Sequence, residues 1–358
     1  MKMFSKTLTA IGLTVAFVSA QTMEETVSKL GAAAGKAYVA PIVSGFGSNL
    51  NAGWYHKAPA PKKFGFHVEA GVVAMGTLLS GGSKTFSTTG AFRLDSAQSR
   101  DIANSSISSS TPGSAVLRDS LTAAIRRADM NVTFSGETVI GPGDQDMSIQ
   151  VIAQPITMNK PGGSGDTSIT IAPYADTLPD VAGILGDLPA LPLLAPQLTV
   201  GTIYGTNLTL RWLPEIETNE DIGAVKFFGF GIQHNPGVWL GSSLPVDLSV
   251  GFFTQSLEVG TLFKASSQAV GLNVSKTLGW RFLNVTPYGG VQFEKSSFDF
   301  AYDLIVDGEA VPIEFTLDGE NKYRATAGLS VRLLAINVNA DYNIGKYNSF
   351  SAGVMIGI

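Results

Sequence analysis

The chain has three histidines, His56, His67 and His234. None stands in the H-E-x-x-H spacing that would put two imidazoles and a general base on one helical face to hold and use zinc. No G-x-S-x-G elbow presents a serine nucleophile. A base, a nucleophile and an orienting group therefore do not assemble, and no enzyme activity is expected. "GFGSNL" (45–50) has two glycines of a nucleotide loop and lacks the third, so it reads as glycine easing sheet curvature. In "GPGDQD" (141–146), Asp144 and Asp146 offer two oxygen donors without the further ligands and Gly and Glu landmarks of a calcium loop. That segment reads as a turn. Arg118, Arg126 and Arg127 in "AVLRDSLTAAIRRA" are spaced with Asp119 as the solvated face of a helix. No metal and no cofactor is expected.

The polar residues with chemistry to offer lie on one face of alternating segments. In "FGFHVEAGVVAMG", Phe64, Phe66, Val68, Ala70, Val72 and Ala74 fall on one side, with His67 and Glu69 on the other. Successive side chains of a strand point to opposite faces, so this is a strand with one apolar and one polar side. "TVGTIYGTNLTLRWLP" sets Val200, Leu208, Leu210 and Trp212 against Asn207 and Arg211. "YRATAGLSVRL" sets Tyr323, Leu329 and Val331 against Arg324 and Arg332, and "INVNADYN" sets Ile336, Val338 and Tyr342 against Asn337, Asn339 and Asp341. Asn273, Gln292 and Glu294 complete the inner set. These twelve residues either line an aqueous path, biasing which solutes pass, or pair with one another and fill a narrow lumen.

The elements that would position them are long strands. Segments of roughly 9 to 13 residues match what crosses a bilayer at a tilt and exceed the usual ~5 to 6 of soluble sheets. Further strands are expected near 44–56, 223–235, 245–256, 266–277, 283–294 and 297–306. The last segment, "FSAGVMIGI" (350–358), alternates Phe350, Ala352, Val354, Ile356 and Ile358 with Ser351, Gly353, Met355 and Gly357. It is expected to face lipid and to close a ring against the strand near 44–56. Trp54, Trp212, Trp239 and Trp280 stand at proposed strand ends and, with Tyr342, are candidates for the aromatic girdle at the membrane interface.

Composition agrees. The first twenty residues carry Lys2 and Lys6, an apolar run from Leu8 to Val18, and Val18-Ser19-Ala20 as a small-residue site. This is the pattern of a secretory signal peptide cleaved near Ala20, and the run is shorter than the ~20 residues a spanning helix needs. There is no cysteine for lipid attachment or disulfides. Acidic residues outnumber basic ones, 29 to 24, without basic clusters, which argues against nucleic acid. Charged residues are only 15%, against roughly 25% in soluble domains, and 40 residues are glycine. Both fit a wall facing hydrocarbon. The apolar stretch 181–200 is broken by Asp187, Pro189, Pro192 and Pro196, so it is not a spanning helix. It is expected outside the strands, packing into the barrel mouth or receiving hydrophobic solutes. An exported, hydrophobic chain without spanning helices points to a closed barrel, the other architecture that satisfies every backbone group in lipid.

The expected organisation is a signal peptide at 1–20, an N-terminal helical segment or plug at 21–43 with its helix near 23–40, and a barrel over 44–358 with a long insertion at 79–198. The helix either plugs the lumen or is a periplasmic tail. The fold class is all-β, a transmembrane antiparallel β-barrel of about twelve to fourteen strands. Sidedness turns on 311–317: as a crossing it puts the insertion in the periplasm, and as part of a surface hairpin over 305–321 it puts the insertion outside.

"GFGSNLNAGWYHKAP", "LTVGTIYGTNLTLRWLP" and "NVNADYNIGKYNSFSAGVMIGI" resemble segments of a family of uncharacterised Gram-negative outer-membrane barrel proteins. The resemblance covers 40–78 and 198–358 and implies fold and location, with no substrate or catalytic residue. A helix ahead of about fourteen strands is also similar in architecture to the long-chain fatty acid transporter family. The terminal strand resembles the signal read by the barrel assembly machinery, with Ile358 where an aromatic residue usually stands. The expected partners are outer-membrane lipid, that machinery, and a small or hydrophobic solute carried passively. Alternatively, a filled barrel presents its insertion to a partner.

Overall fold

The computed structural model describes residues 30–358 apart from 82, 164, 179–180, 182, 184, 187, 218–223, 241–243, 261–262 and 281. The expected signal peptide lies outside the described residues. The first element among the described residues is helix α1 (Ala32–Leu50), followed after a loop by β1 (Phe64–Leu78). An inserted unit comes next: β2 (Thr85–Phe92), α2 (Ser96–Ser106), α3 (Ser114–Arg127), β3 (Met130–Glu137), β4 (Met147–Val151), β5 (Pro155–Asn159), β6 (Asp166–Thr170) and β7 (Tyr174–Leu178). The chain then runs through β8 (Ala190–Ile203), β9 (Thr206–Glu217), β10 (Ala224–His234), the short α4 (Gly237–Leu240), β11 (Asp247–Val259), β12 (Phe263–Ser275) and β13 (Leu278–Gly279). It ends with β14 (Leu283–Val306), β15 (Glu309–Asp318), β16 (Tyr323–Leu333), β17 (Ile336–Ile344) and β18 (Ser349–Gly357).

Among the described residues, β1, β8, β9, β10, β11, β12, β14, β16, β17 and β18 each pair antiparallel with the next, and β18 returns to β1. A sheet closed this way has no edge strand. Inner and outer faces follow the alternation read from sequence: in β12 the buried set is Phe263, Ala265, Ser267, Ala269, Gly271, Asn273 and Ser275, and the residues between them are exposed. Outward lie Val72, Leu198, Leu210, Phe228, Val250, Val270, Leu272, Val291, Leu329, Val338 and Val354, an apolar belt on every ring strand.

The ring has ten strands where twelve to fourteen are expected, for three reasons. The segments at 283–294 and 297–306 are one 24-residue strand, β14. Its upper part leaves the ring and pairs with β15, so 311–317 belongs to a projecting hairpin. That hairpin turns at Asp307-Gly308, both at positive φ (52° and 82°), the backbone a tight two-residue turn requires. The third reason is that 44–56 is not wall at all. Residues 44–50 complete α1, which runs past the expected end at 40 to Leu50, while 23–29 of the expected helix lie outside the described residues, and β18 closes on β1 with Val354 opposite Val72. The fourteen-strand likeness to fatty acid transporters is therefore not met.

The prolines of 190–203 also sit differently from expectation. Pro192 and Pro196 are inside β8, opposite Gly76 and Val72 of β1. β9 joins β8 from Gln197 onward. The prolines thus occupy a stretch that is an edge on the β9 side, where a strand tolerates them.

The inserted unit, here the cap, packs β2, β3, β4 and β7 as one sheet with α2 and α3 around Leu94, Ile102, Leu121, Ile125, Phe134 and Ile149. It leaves the ring after Leu78, where β1 lies beside Asn348 and Ser349 of the chain entering β18. Asp307 latches it to the β14–β15 hairpin: Ser96 donates to Oδ1 through its amide (3.2 Å) and hydroxyl (3.0 Å), and Arg126 donates to Oδ2 at 2.8 Å. The Ser96 amide first, then the Ser96 hydroxyl and Arg126, hold this carboxyl below the ordinary aspartate range. A depressed folded pKa means the latch stabilises fully above the unfolded value near ~3.9 and is lost as pH falls through the lower folded value. Hydrogen exchange should show faster exchange of α2 and hairpin amides in Asp307→Asn at neutral pH. The wild type should lose that protection only below about pH 4, while the variant's hairpin shows no such step.

Candidate functional site in the barrel lumen

The lumen is occupied from end to end by the chain's own N-terminal segment. Tyr302, in the part of β14 beyond the ring, donates to the Leu30 carbonyl at 3.0 Å, which fixes the start of α1 at the cap. At 1.5 Å per residue the helix then descends roughly 28 Å into the barrel. From Pro41 to Leu50 every residue is buried. Such a helix is not held by propensity, since an interior proline costs ~3 kcal/mol and each glycine ~1. Its surroundings hold it. A side chain at Gly47 would collide with Ser296, and one at Gly35 with the Tyr302 hydroxyl, so the glycines are where the wall comes closest.

The upper lumen is apolar. Phe46, Val43 and Ile42 belong to one cluster with Phe263, Phe298, Phe300, Phe227 and Leu257 of the wall. Below it, polar wall residues grip the segment's backbone. Arg324 forms a two-pronged pair with Glu294, Nε to Oε2 at 2.6 Å and Nη2 to Oε1 at 3.1 Å, and Nη2 also donates to the Ser48 carbonyl at 2.7 Å. Asn49 donates to the Leu191 carbonyl and accepts from Thr77, both at 2.7 Å. Arg211, fully buried, donates to the Ala52 carbonyl and to Gln197 Oε1, each at 3.0 Å. Its guanidinium lies 4.0 Å from the Trp54 ring centroid, and Trp54 stacks on Phe253. Here a cation gains from the ring's negative face away from water.

From Trp54 the segment continues extended. Tyr55 packs between Phe253 and Tyr288, whose hydroxyl donates to Asp341 at 2.9 Å. Asp341 also accepts from Ser351 (2.6 Å) and Asn343 (2.7 Å). His56 Nε2 lies 3.0 Å from Glu69 Oε2, and His67 Nε2 lies 3.6 Å from the same oxygen. Ala58 donates to Ser275, and Asn235 donates to the Pro59 carbonyl.

All twelve inner-face residues read from sequence point inward. Arg211, Arg324, Glu294 and Glu69 bind or neighbour the threaded segment, and Asp341 holds Tyr288 against it. Asn337 accepts from Ser330 at 2.8 Å, and Asn207 accepts from Thr202. Asn273, Gln292 and Asn339 are buried on the same face. Arg332 stands apart at the rim, donating to the carbonyls of Leu334 and Gly357. Trp212, Trp239, Trp280 and Tyr342 are exposed on the outside. Trp54 is the correction: it is 2% exposed, inside the lumen, because its segment is threaded and not part of the wall. Sequence reading missed Gln197 and Gln255, which alternation on β8 and β11 could have supplied, and Ser48, Asn49 and His56, which no wall pattern could.

An open cavity of about 790 Å³ remains at the rim opposite the cap, lined in part by Lys57, Lys62, His67, Thr202, Asn207 and Arg332.

A family model, the family of unknown function DUF6588, matches residues 1–358. The chain belongs to this family. No curated protein matches the DUF6588 chain significantly. Among solved structures, it is similar to the outer membrane protease OmpT of Escherichia coli over 84% of this chain and 100% of that one, at 9% identity and a TM-score of 0.28. It is also similar to the outer membrane channel DcaP of Acinetobacter baumannii, over 84% and 100% of the two chains, at 10% identity and a TM-score of 0.18.

Breaking the Arg324–Glu294 pair from one side leaves a buried cation without its partner. Glu294→Ala should therefore destabilise the barrel by roughly 3–5 kcal/mol in urea unfolding followed by tryptophan fluorescence. The double replacement Glu294→Leu with Arg324→Met should recover most of that loss. A single-variant cost below about 1 kcal/mol, the size of an ordinary exposed pair, would show that the pair does not hold the segment.

Proposed function

We propose that this protein is an integral outer-membrane β-barrel, shut by its own N-terminal segment, that anchors a folded cap at the membrane surface for a partner to dock against. The observation that carries this reading is the occupied axis. Residues 30 to 63 run from the cap to the opposite rim, and wall side chains hold Ser48, Ala52, Ala58 and Pro59 by their backbones. The apolar belt supports membrane insertion, since contiguous exposed apolar surface of this extent needs an apolar surrounding. It is bounded by Trp239, Trp280 and Tyr204 at one end. Towards the cap stand the exposed pairs Lys226–Glu215, Lys264–Glu258 and Lys295–Asp318. Barrels of this kind carry short turns on the periplasmic side and long loops outside. The Tyr204-Gly205 turn therefore reads as periplasmic and the cap as extracellular, with export by a cleaved leader and insertion by the assembly machinery.

A passive channel or carrier is the competing reading. It requires the segment to leave the lumen, and conductance decides between the two. In planar bilayers the wild-type barrel should stay closed, and a steady ion current of porin size would overturn the closed-barrel reading. Insertion itself is tested by Val354→Arg, which places a charge on the belt at a depth where it costs about 2–4 kcal/mol. The variant should lose heat-modifiable migration and recovery in the outer-membrane fraction. An epitope placed in the exposed Ser108–Ser110 turn of the cap should be reached by antibody on intact cells.

A further inference from the structure

The barrel is notched where its first and last strands meet. Pairing of β18 with β1 begins at Glu69 opposite Gly357, and Val68 exchanges two hydrogen bonds with Ile358. β1 itself begins at Phe64. Phe64 and His67 are therefore bonded to Ile203 and Gly201 of β8 on one side and have no strand on the other. The 790 Å³ rim cavity lies at this notch, and its size suits a small ligand or headgroup.

Its lining divides by chemistry. Lys57, Lys62, His67 and Arg332, with Thr202 and Asn207, supply cations and hydrogen-bond donors, and no acidic side chain is among the lining residues. Glu69, beside the cavity, is flanked by His56 and His67. Among the described residues, no carboxylate stands within ion-pair distance of either lysine ammonium, and Lys57 feels Glu69 and Asp247 only at longer range. Arg332 uses Nε and Nη2 on backbone carbonyls, leaving Nη1 to point elsewhere. At the outer edge stand Phe66, Phe282 and Leu334, 74%, 64% and 62% exposed. Cations inside and apolar rings outside follow the order of an amphiphile at a membrane interface, with a headgroup towards the protein and tails along the belt.

We propose that this notch binds an amphiphile with an anionic phosphate headgroup, met in the membrane as an anionic phospholipid. The proposal rests on the membrane-barrel reading given above. A zwitterionic headgroup fits less well, because its own ammonium would meet Lys57 and Lys62. The phosphate places its oxygens between the two lysines and Arg332, while the acyl chains lie against Phe66 and the exposed residues of β1.

Native mass spectrometry of the full chain, released from nanodiscs holding equal amounts of phosphatidylglycerol and phosphatidylcholine, tests this. The wild type should retain phosphatidylglycerol in preference by on the order of tenfold or more, the scale expected when several basic residues meet an anionic lipid. The variant Lys57→Gln with Lys62→Gln, which leaves the bonds of Arg332 intact, should lose most of that preference. Equal retention of the two lipids by the wild type, or an undiminished preference in the variant, overturns the proposal. Binding of glycerol phosphate to the detergent-solubilised barrel as tightly as the lipid would assign the cavity to a soluble phosphate ester and overturn the amphiphile. Flotation of the wild type with vesicles is scored separately. A chain that does not float refutes the membrane reading, and the glycerol phosphate arm still reports on the cationic cavity.

Discussion

A closed ring of strands pairs the backbone of its wall, here everywhere but the start of β1 and the proline stretch of β8, and it creates an interior that has to be filled. In this barrel the filling is the protein's own chain, and most of the other features follow from that. From Pro41 to Leu50 α1 is buried all round, so that part of its sequence cannot be amphipathic in the usual sense. It is rich in alanine, glycine and serine because the wall approaches from every side, as at Gly47 against Ser296. Arginines can be buried in the wall because the threaded segment brings main-chain carbonyls to them at Ser48 and Ala52. Remove the segment and Arg211 faces an empty lumen. Remove Arg211, and Ala52 and Gln197 each lose a buried donor, at a typical cost of ~1–3 kcal/mol for the group left unsatisfied.

The same constraint links cap and barrel. α1 begins beside Tyr302 and Phe315, in the hairpin that projects beyond the ring, and β14 continues from the membrane wall into that hairpin without a break. The helix and the long strand are therefore two rigid connections between the cap and the lumen, and the Asp307 latch is a third contact at the surface. A cap resting on a helix that is itself locked in the barrel has a defined orientation, which a loop of equal length would not give it.

How much of this could be read from the residues depends on the period of each segment. Alternation is a strong signal where one face meets an apolar surrounding and the other a packed interior, so β12, β16, β17 and β18 were legible with their inner residues in place. It was misleading at "SGFGSNL", where small and apolar residues alternate because a helix is crowded on all sides. Glycine, a poor helix former, disguised it further. β14 read as two strands because Lys295, Ser296 and Ser297 resemble a turn, although in the fold they remain paired to β12 and carry on towards the cap. Pro192 and Pro196 argued against a strand because sequence cannot show that β9 leaves that stretch unpaired. Of the inner site, the wall's half was visible and the segment's half was not. Trp54 carries no local mark that separates a ring in the membrane interface from one stacked under an arginine.

The division of the lumen into two halves bears on whether such a barrel could open. In the lower half polar contacts surround one small aromatic cluster, Trp54 and Tyr55 with Phe253 and Tyr288, and water entering there would replace the partners of Arg211, Asp341 and Glu69 with hydrogen bonds of similar worth. In the upper half Ile42, Val43 and Phe46 sit among Phe263, Phe298 and Phe300. Exposing each such side chain costs roughly 1.5–3 kcal/mol, with no compensating bond from water. The resistance to opening is thus concentrated at the apolar end beneath the cap, and hydration from the opposite rim does not reach it. A load on the cap reaches α1 directly at that end, whereas a change at the rim cavity reaches only the extended chain around Lys57. A free lumen would therefore have to be reached from the cap side, where α1 meets Tyr302 and the apolar cluster.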